Sequence, residues 1–226
     1  MSESSPVAFL FDVDDTLLDN DRIIDDLRRH LAGVFTDEQQ AHYWKIFDEL
    51  HQELGYADYL GALQRYRCEN PRDFAFLKLS LFLMNYPFAE RLFPKALDVL
   101  GYCGQFGLVT IVSDGDVVFQ PRKIERAGLC EAVDGRVLIY IHKERDFPDV
   151  EWHCPAQHYV MFEDKPKILA AAKAEWRERV TTIFTRQGRH ARDPQNVRPF
   201  PTPDLTLERI GDLLSPEYRG FFDRFH

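Results

Sequence analysis

Five short apolar runs punctuate the chain: VAFLF at 7–11, LVTIV at 108–112, VLIYI at 137–141, YVMF at 159–162 and VTTIF at 180–184. None alternates cleanly with polar residues, and most positions are β-branched or aromatic. That pattern predicts strands covered on both faces, as in a parallel sheet. Helical stretches separate them. FQPRKIERAGL (119–129) ends with a glycine suited to stop a helix, and PKILAAAKAEWRER (166–179) is rich in strong helix formers. PKALDVLGYCGQFG (94–107) reads as the helix leading into the second strand. Strands alternating with helices predict an α/β fold, a three-layer Rossmann-like parallel sheet with right-handed crossovers.

The rhythm breaks once. Residues 18–88 contain no convincing strand, only helical patterns such as RIIDDLRRHLAGVF (22–35) and EQQAHYWKIFDELHQELG (38–55). The segment reads as a helical module inserted into a core formed by residues 1–17 and 89–226. The C-terminal stretch 204–226 is expected to hold a short helix and an aromatic tail. Its Phe221, Phe222 and Phe225 are expected to pack on their own domain rather than to mark a partner surface.

Composition narrows the function. With 45% hydrophobic and 29% charged residues in 226, the chain has enough apolar material for a sizeable core. Its formal charge of −9 argues against non-specific binding to nucleic acid or an anionic membrane surface. A small anionic substrate stays open, because local positive charge suffices for it. Cys68, Cys103, Cys130 and Cys154 form no CxxC pair and read as reduced thiols of a cytoplasmic protein. The N-terminal residues show neither a signal-peptide pattern nor a membrane span. The eight histidines lack metal-binding spacing, and Arg65, Arg67 and Arg72 read as a solvated helix face.

The ends of the strands carry the chemistry. The first run meets Asp12-Val13-Asp14-Asp15, the second Ser113-Asp114-Gly115-Asp116, the third His142-Lys143 and the fourth Glu163-Asp164-Lys165. Ligands of open α/β sheets bind at the carboxyl ends of the strands, so these residues form one candidate site. Carboxylates without nitrogen or sulfur ligands suit a hard cation, most naturally Mg²⁺. A lysine and a hydroxyl beside it would hold an anionic group such as phosphate. One carboxylate can attack phosphorus, and a second, two residues on, can move protons. Asp15 reads as a residue that shapes the loop.

DVDDT (12–16) after an apolar strand resembles the first motif of the haloacid dehalogenase-like (HAD) superfamily, whose members are mostly phosphatases. VTIVSDG (109–115) resembles its second motif, Lys143 its third and Glu163-Asp164 its fourth, in the family's order. The resemblance implies Asp12 as nucleophile and metal ligand, and Asp14 as general acid/base with its backbone carbonyl on the metal. It implies Thr16 and Asp114 beside the substrate, with Thr16 supporting the loop. Ser113 would bind a phosphoryl oxygen, Lys143 would neutralise charge, and Asp164 would ligate Mg²⁺. It further implies that residues 18–88 are a cap that shapes substrate choice. Members that cleave carbon–halogen bonds generally lack an aspartate at position 14, so Asp14 favours phosphate chemistry. Two features depart from the family pattern. The fourth motif lacks a later acid, leaving Glu163 either as the second metal-site acid or as a structural residue. The third-motif lysine lacks the frequent Lys-Pro context, leaving Lys123 as its rival. The implied activity is Mg²⁺-dependent hydrolysis of a small phosphomonoester. A 2-haloacid dehalogenase, a phosphotransferase and a non-catalytic phosphate-binding or regulatory protein are the alternatives. Oligomeric state stays open.

Overall fold

The computed structural model describes residues 4–222. Six parallel strands form one sheet: β1 (Ser5–Phe11), β2 (Leu108–Asp114), β3 (Val137–Tyr140), β4 (Ala156–Glu163), β5 (Val180–Thr185) and β6 (Leu205–Leu207). Their order across the sheet is β3-β2-β1-β4-β5-β6. The chain thus steps outward from β1 through β2 to β3, then returns to the other side of β1 at β4. That reversal opens a crevice at the carboxyl ends of β1 and its two neighbours.

Alternate residues of a strand face opposite sides of a sheet, and β1 uses both. Val7, Phe9 and Phe11 belong to one buried cluster, Ala8 and Leu10 to another. On the first face lie α5 (Ala96–Cys103), α6 (Phe119–Arg126) and the short α7 (Leu129–Ala132). On the second lie α8 (Phe147–His153) and α9 (Pro166–Trp176). Gly128, at φ +78°, follows α6 where the sequence places a helix stop. Two single-turn helices, α10 (Arg189–Arg192) and α11 (Pro194–Val197), follow β5.

Four helices fill the interval between β1 and α5: α1 (Asn20–Val34), α2 (Asp37–Leu54), α3 (Tyr59–Glu69) and α4 (Ala75–Asn85). Thr36 and Gln39 form a reciprocal capping box at the start of α2, and Gly55 ends it in the left-handed conformation. The two connections of this segment run side by side. Leu18 pairs antiparallel with Leu92, Asp19 N–H donates to Arg91 C=O at 2.8 Å, and Phe93 N–H donates to Leu17 C=O at 2.9 Å.

Two expectations are corrected. The region after 204 does hold short helix, as 3₁₀ segments at Ile210–Leu214 and Pro216–Phe221, but it opens with strand β6, which the pattern did not predict. Three residues are too few for a visible pattern, and pairing with β5 makes them a strand. The run at 137–141 is not covered on both faces: β3 is an edge strand of half-buried residues, and Ile141 beyond it is exposed. Phe222 is buried, its ring 5.6 Å from that of Phe9, whereas Phe225 lies outside the described residues. All four cysteines are free thiols, and among the described residues no helix is long and apolar enough to cross a membrane.

Candidate active site

Strand pairing assembles the acids. Phe11 of β1 lies opposite Phe162 of β4, and Asp12 N–H donates to Phe162 C=O at 3.0 Å. Asp12 therefore leaves the sheet beside Glu163 and Asp164. One carboxylate oxygen from each of the three lies within 4.8 Å of the others, and all three residues are buried.

A buried charge is costly unless it is paired. Lys143, fully buried, reaches in from the loop after β3. Its ammonium donates to Asp12 Oδ1 and to the carbonyl of Val112 at 3.0 Å, and it lies 2.7 Å from Glu163 Oε2. Burial alone would favour the neutral amine, but the Asp12 and Glu163 carboxylates outweigh it and raise the Lys143 pKa. Lys165 is raised likewise: burial opposes its charge, while Asp164, Asp12 and Glu163 favour it. The acids move upward too. Burial, then the Glu163 charge, pushes Asp12 up to about 6 against the pull of Lys143. Burial holds Asp164 well above the ordinary carboxylate range.

With all three acids ionised, as a bound cation would hold them, three carboxylates against the Lys143 and Lys165 ammonium groups leave one negative charge in excess. Asp12 Oδ2 and Asp164 Oδ1 are buried without a hydrogen-bond partner. Unpartnered oxygens at a site with surplus negative charge fit a hard divalent cation, and nothing in the donor set favours a softer metal.

Asp14 is separate from this cluster. Its carboxylate is gripped by Lys123 of α6, with Nζ at 2.7 Å from Oδ1 and 2.9 Å from Oδ2. The neighbouring Asp15 takes φ +58° and accepts the Asp21 N–H at 3.1 Å, tying the loop to the first turn of α1. Burial, then the charges of Asp21 and Asp14, pushes Asp15 up to about 7.

Ser113, at the end of β2, is buried and accepts a 2.9 Å hydrogen bond from Gln120 Nε2. Asp114 Oδ1 accepts the Lys143 N–H at 2.7 Å, so its carboxylate anchors the loop that carries the lysine. Thr16 is fully buried with its hydroxyl 3.1 Å from that of Thr185, and Gln187 Nε2 donates to its carbonyl at 2.8 Å. The implied place of Thr16 beside a substrate does not hold: its side chain faces β5 and braces the loop.

Above these residues lies a cleft of about 670 Å³, within the usual range for small-molecule sites. Asp14, Asp15, Asp114, Lys123, Asp164 and Lys165 line its floor. Ile24, Phe47, His51, Tyr56 and Tyr59, all from the helical segment, line its opposite wall. Arg65, Arg67 and Arg72 do not line it. Arg65 pairs with Glu53 at 3.0 Å, and the Arg67 guanidinium lies over the Phe76 ring.

The geometry thus puts Lys143 in contact with Asp12 and Glu163, gathers Asp164 with those two acids, and places Asp14, Ser113 and Asp114 around them. It puts Lys143, not Lys123, on Asp12. The carboxylate of Asp14 is not in the acidic cluster, which leaves only its backbone carbonyl for the implied metal contact. Sequence reasoning gave no role to Lys165 or Gln120. Lys165 had a signal, since it directly follows Glu163-Asp164, whereas Gln120 had only its place one turn before Lys123.

No family model and no curated protein matches the sequence. Solved structures do. A haloacid dehalogenase-like hydrolase of Burkholderia xenovorans LB400 is 56% identical over 92% of this chain and 97% of its own, with a TM-score of 0.88. The HAD-hydrolase YfnB of Bacillus subtilis, solved bound to magnesium, is 16% identical, with 91% and 96% coverage and a TM-score of 0.61. L-2-haloacid dehalogenase from Xanthobacter autotrophicus is 17% identical, with 91% and 96% coverage and a TM-score of 0.60. The last two share the fold. The first shares fold and sequence over nearly the whole length, and with it the chain belongs to the haloacid dehalogenase-like hydrolases.

Proposed function

We propose that the chain is a Mg²⁺-dependent phosphatase that hydrolyses a small phosphomonoester through an aspartyl-phosphate on Asp12. The observation that carries this reading is the division of labour between two nearby carboxylates. Asp12 is sealed among charges, whereas Asp14 keeps a quarter of its side chain exposed and lines the cleft. Halide leaves a carbon without needing a proton. A carboxyl group facing the cleft is useful when the leaving atom is oxygen.

In the first step an Asp12 oxygen bonds to phosphorus while the ester P–O bond breaks. The electron pair departs on the ester oxygen, which takes a proton from Asp14; for this step Asp14 enters in its acid form and leaves as the carboxylate that Lys123 pairs. In the second step water adds to phosphorus and gives its proton to Asp14, and the acyl oxygen departs to restore the Asp12 carboxylate. Lys143 offsets the phosphoryl charge. Ser113, whose oxygen already accepts from Gln120, directs its own hydrogen to a phosphoryl oxygen. Mg²⁺ held by Asp12, Glu163 and Asp164 with the Asp14 carbonyl would supply the positive charge that lets a carboxylate approach an anion.

The helical segment 18–88 acts as the cap of the core formed by 1–17 and 89–226. Its apolar and aromatic wall would take the organic part of the substrate. The enzyme is read as cytoplasmic, with a small phosphorylated substrate and neither nucleic acid nor membrane as partner.

The test is hydrolysis of an aryl phosphate with and without Mg²⁺ by the wild type and Asp12→Asn. Turnover that needs the metal and disappears in the variant supports the reading. Halide release from 2-haloacids would establish the dehalogenase instead. A folded protein inert across a panel of phosphate esters would point to a phosphate-binding or regulatory role.

A further inference from the structure

Asp14 does not stand free at the cleft floor, because one face of α6 holds it. Lys123, 2% exposed, meets both oxygens of the carboxylate. One turn earlier Gln120, 3% exposed, lies 3.4 Å from Asp14 Oδ2 and donates to Ser113. Residues three apart share a helix face, so a single element presents both donors to the loop after β1. Gly115 makes room for Gln120: a Cβ there would come 2.6 Å from Gln120 Cβ. Lys123 also lies 3.4 Å from Oδ1 of Asn20, the first residue of α1. The Phe119 ring flanks its ammonium at 5.5 Å.

A lysine buried to this degree is rarely found without a partner, and its partner here faces the cleft. A surface ion pair would add little stability. A charge-assisted contact from one ammonium on a fixed helix, reaching both oxygens, instead sets where the carboxylate points. We propose that Lys123 is a positioning residue that aims the Asp14 carboxyl at the leaving-group oxygen. The inference rests on the phosphatase reading. During the step the Asp14 proton moves to the departing oxygen as its P–O bond breaks, and Lys123 faces the carboxylate left behind. After the second step the same contact returns Asp14 to its place.

The prediction separates leaving groups. A nitrophenolate departs well without a proton, while a simple alkoxide needs one. The experiment compares 4-nitrophenyl phosphate with a primary alkyl phosphate on the same preparations of wild type, Lys123→Met and Lys123→Arg. Their ratio of kcat/KM does not depend on the folded fraction of a preparation. In Lys123→Met the alkyl ester should lose about 100-fold more kcat/KM than the aryl ester, within the usual range for general acid catalysis. Lys123→Arg, which can still make a bidentate contact, should recover most of that difference. Equal losses on both esters, or none on either, would overturn the role of Lys123 while leaving the phosphatase reading intact. A wild type that turns over neither ester would overturn that reading and the inference with it.

Discussion

The ammonium of Lys143 and the carboxylate of Asp12 form a buried ion pair at the carboxyl end of the sheet, with each side chain at most 3% exposed. The lysine lies 131 positions along the chain from its partner. Lys143 also faces Glu163, so it is the charge on which two buried acids depend. Removing one partner of such a pair typically costs ~3–5 kcal/mol, because the other stays buried and unpaired. Lys143→Met should destabilise the metal-free protein by about that amount, read from urea unfolding in the presence of a chelator.

Binding of a cation by the acidic cluster should stabilise the fold by mass action, by ~2.7 kcal/mol at a hundred times the dissociation constant. Melting curves of the wild type should therefore shift upward as Mg²⁺ is added. Asp164→Asn replaces one carboxylate oxygen with an amide nitrogen, removing the charge of a group whose Oδ1 is unpartnered, and should lose most of the shift. An equal shift in both proteins would place the ion elsewhere.

Asp26 ties the helical segment to its exit. Its carboxylate accepts from the Tyr86 hydroxyl and from Arg91 Nη2 at 2.8 Å. Burial works to raise its pKa, but the Tyr86 and Arg91 hydrogen bonds prevail and hold it below the ordinary value. A carboxylate with a lowered folded pKa contributes stability above its unfolded pKa and loses it as pH falls through the folded one. Stability should therefore drop from about pH 4 downward in the wild type. Asp26→Asn should cost ~1.5–3 kcal/mol at neutral pH and flatten the acid limb, measured by thermal melts across pH.

Gly55 and His142 meet where α2 ends against the loop after β3. Gly55 has φ +81°, and a Cβ there would lie 2.3 Å from His142 Cε1. Gly55→Ala thus meets two obstacles, a left-handed backbone costing ~1–2 kcal/mol and a steric clash. His142→Ala added to it should relieve the clash and leave only the backbone cost. Denaturant unfolding of the two single variants and the double variant separates the parts.

Much of this site could be read along the chain because apolar strands leave their polar residues at their ends. Asp12, Ser113, Lys143 and Glu163-Asp164 each follow an apolar run, and parallel strands carry all four ends to one edge. The helical interval was equally visible, since the helical patterns at 22–35 and 38–55 are local features. β6 was not, because its three residues become a strand only by pairing with β5. Thr16 was misplaced because nothing local shows that its hydroxyl meets Thr185, 169 residues away.

The sequence by itself determined the helical interval, the order of five of the six strands along the chain and the set of acids, because hydrophobic period and residue chemistry are local properties. Which lysine meets which acid was decided only by tertiary structure. Lys143 and Lys123 were both candidates for the same carboxylate, and the register of β3 and the facing of α6 sent one to Asp12 and the other to Asp14. The surplus charge and the unpartnered oxygens of the cluster arose in the same way. They come from burying groups that meet only when β1 and β4 pair.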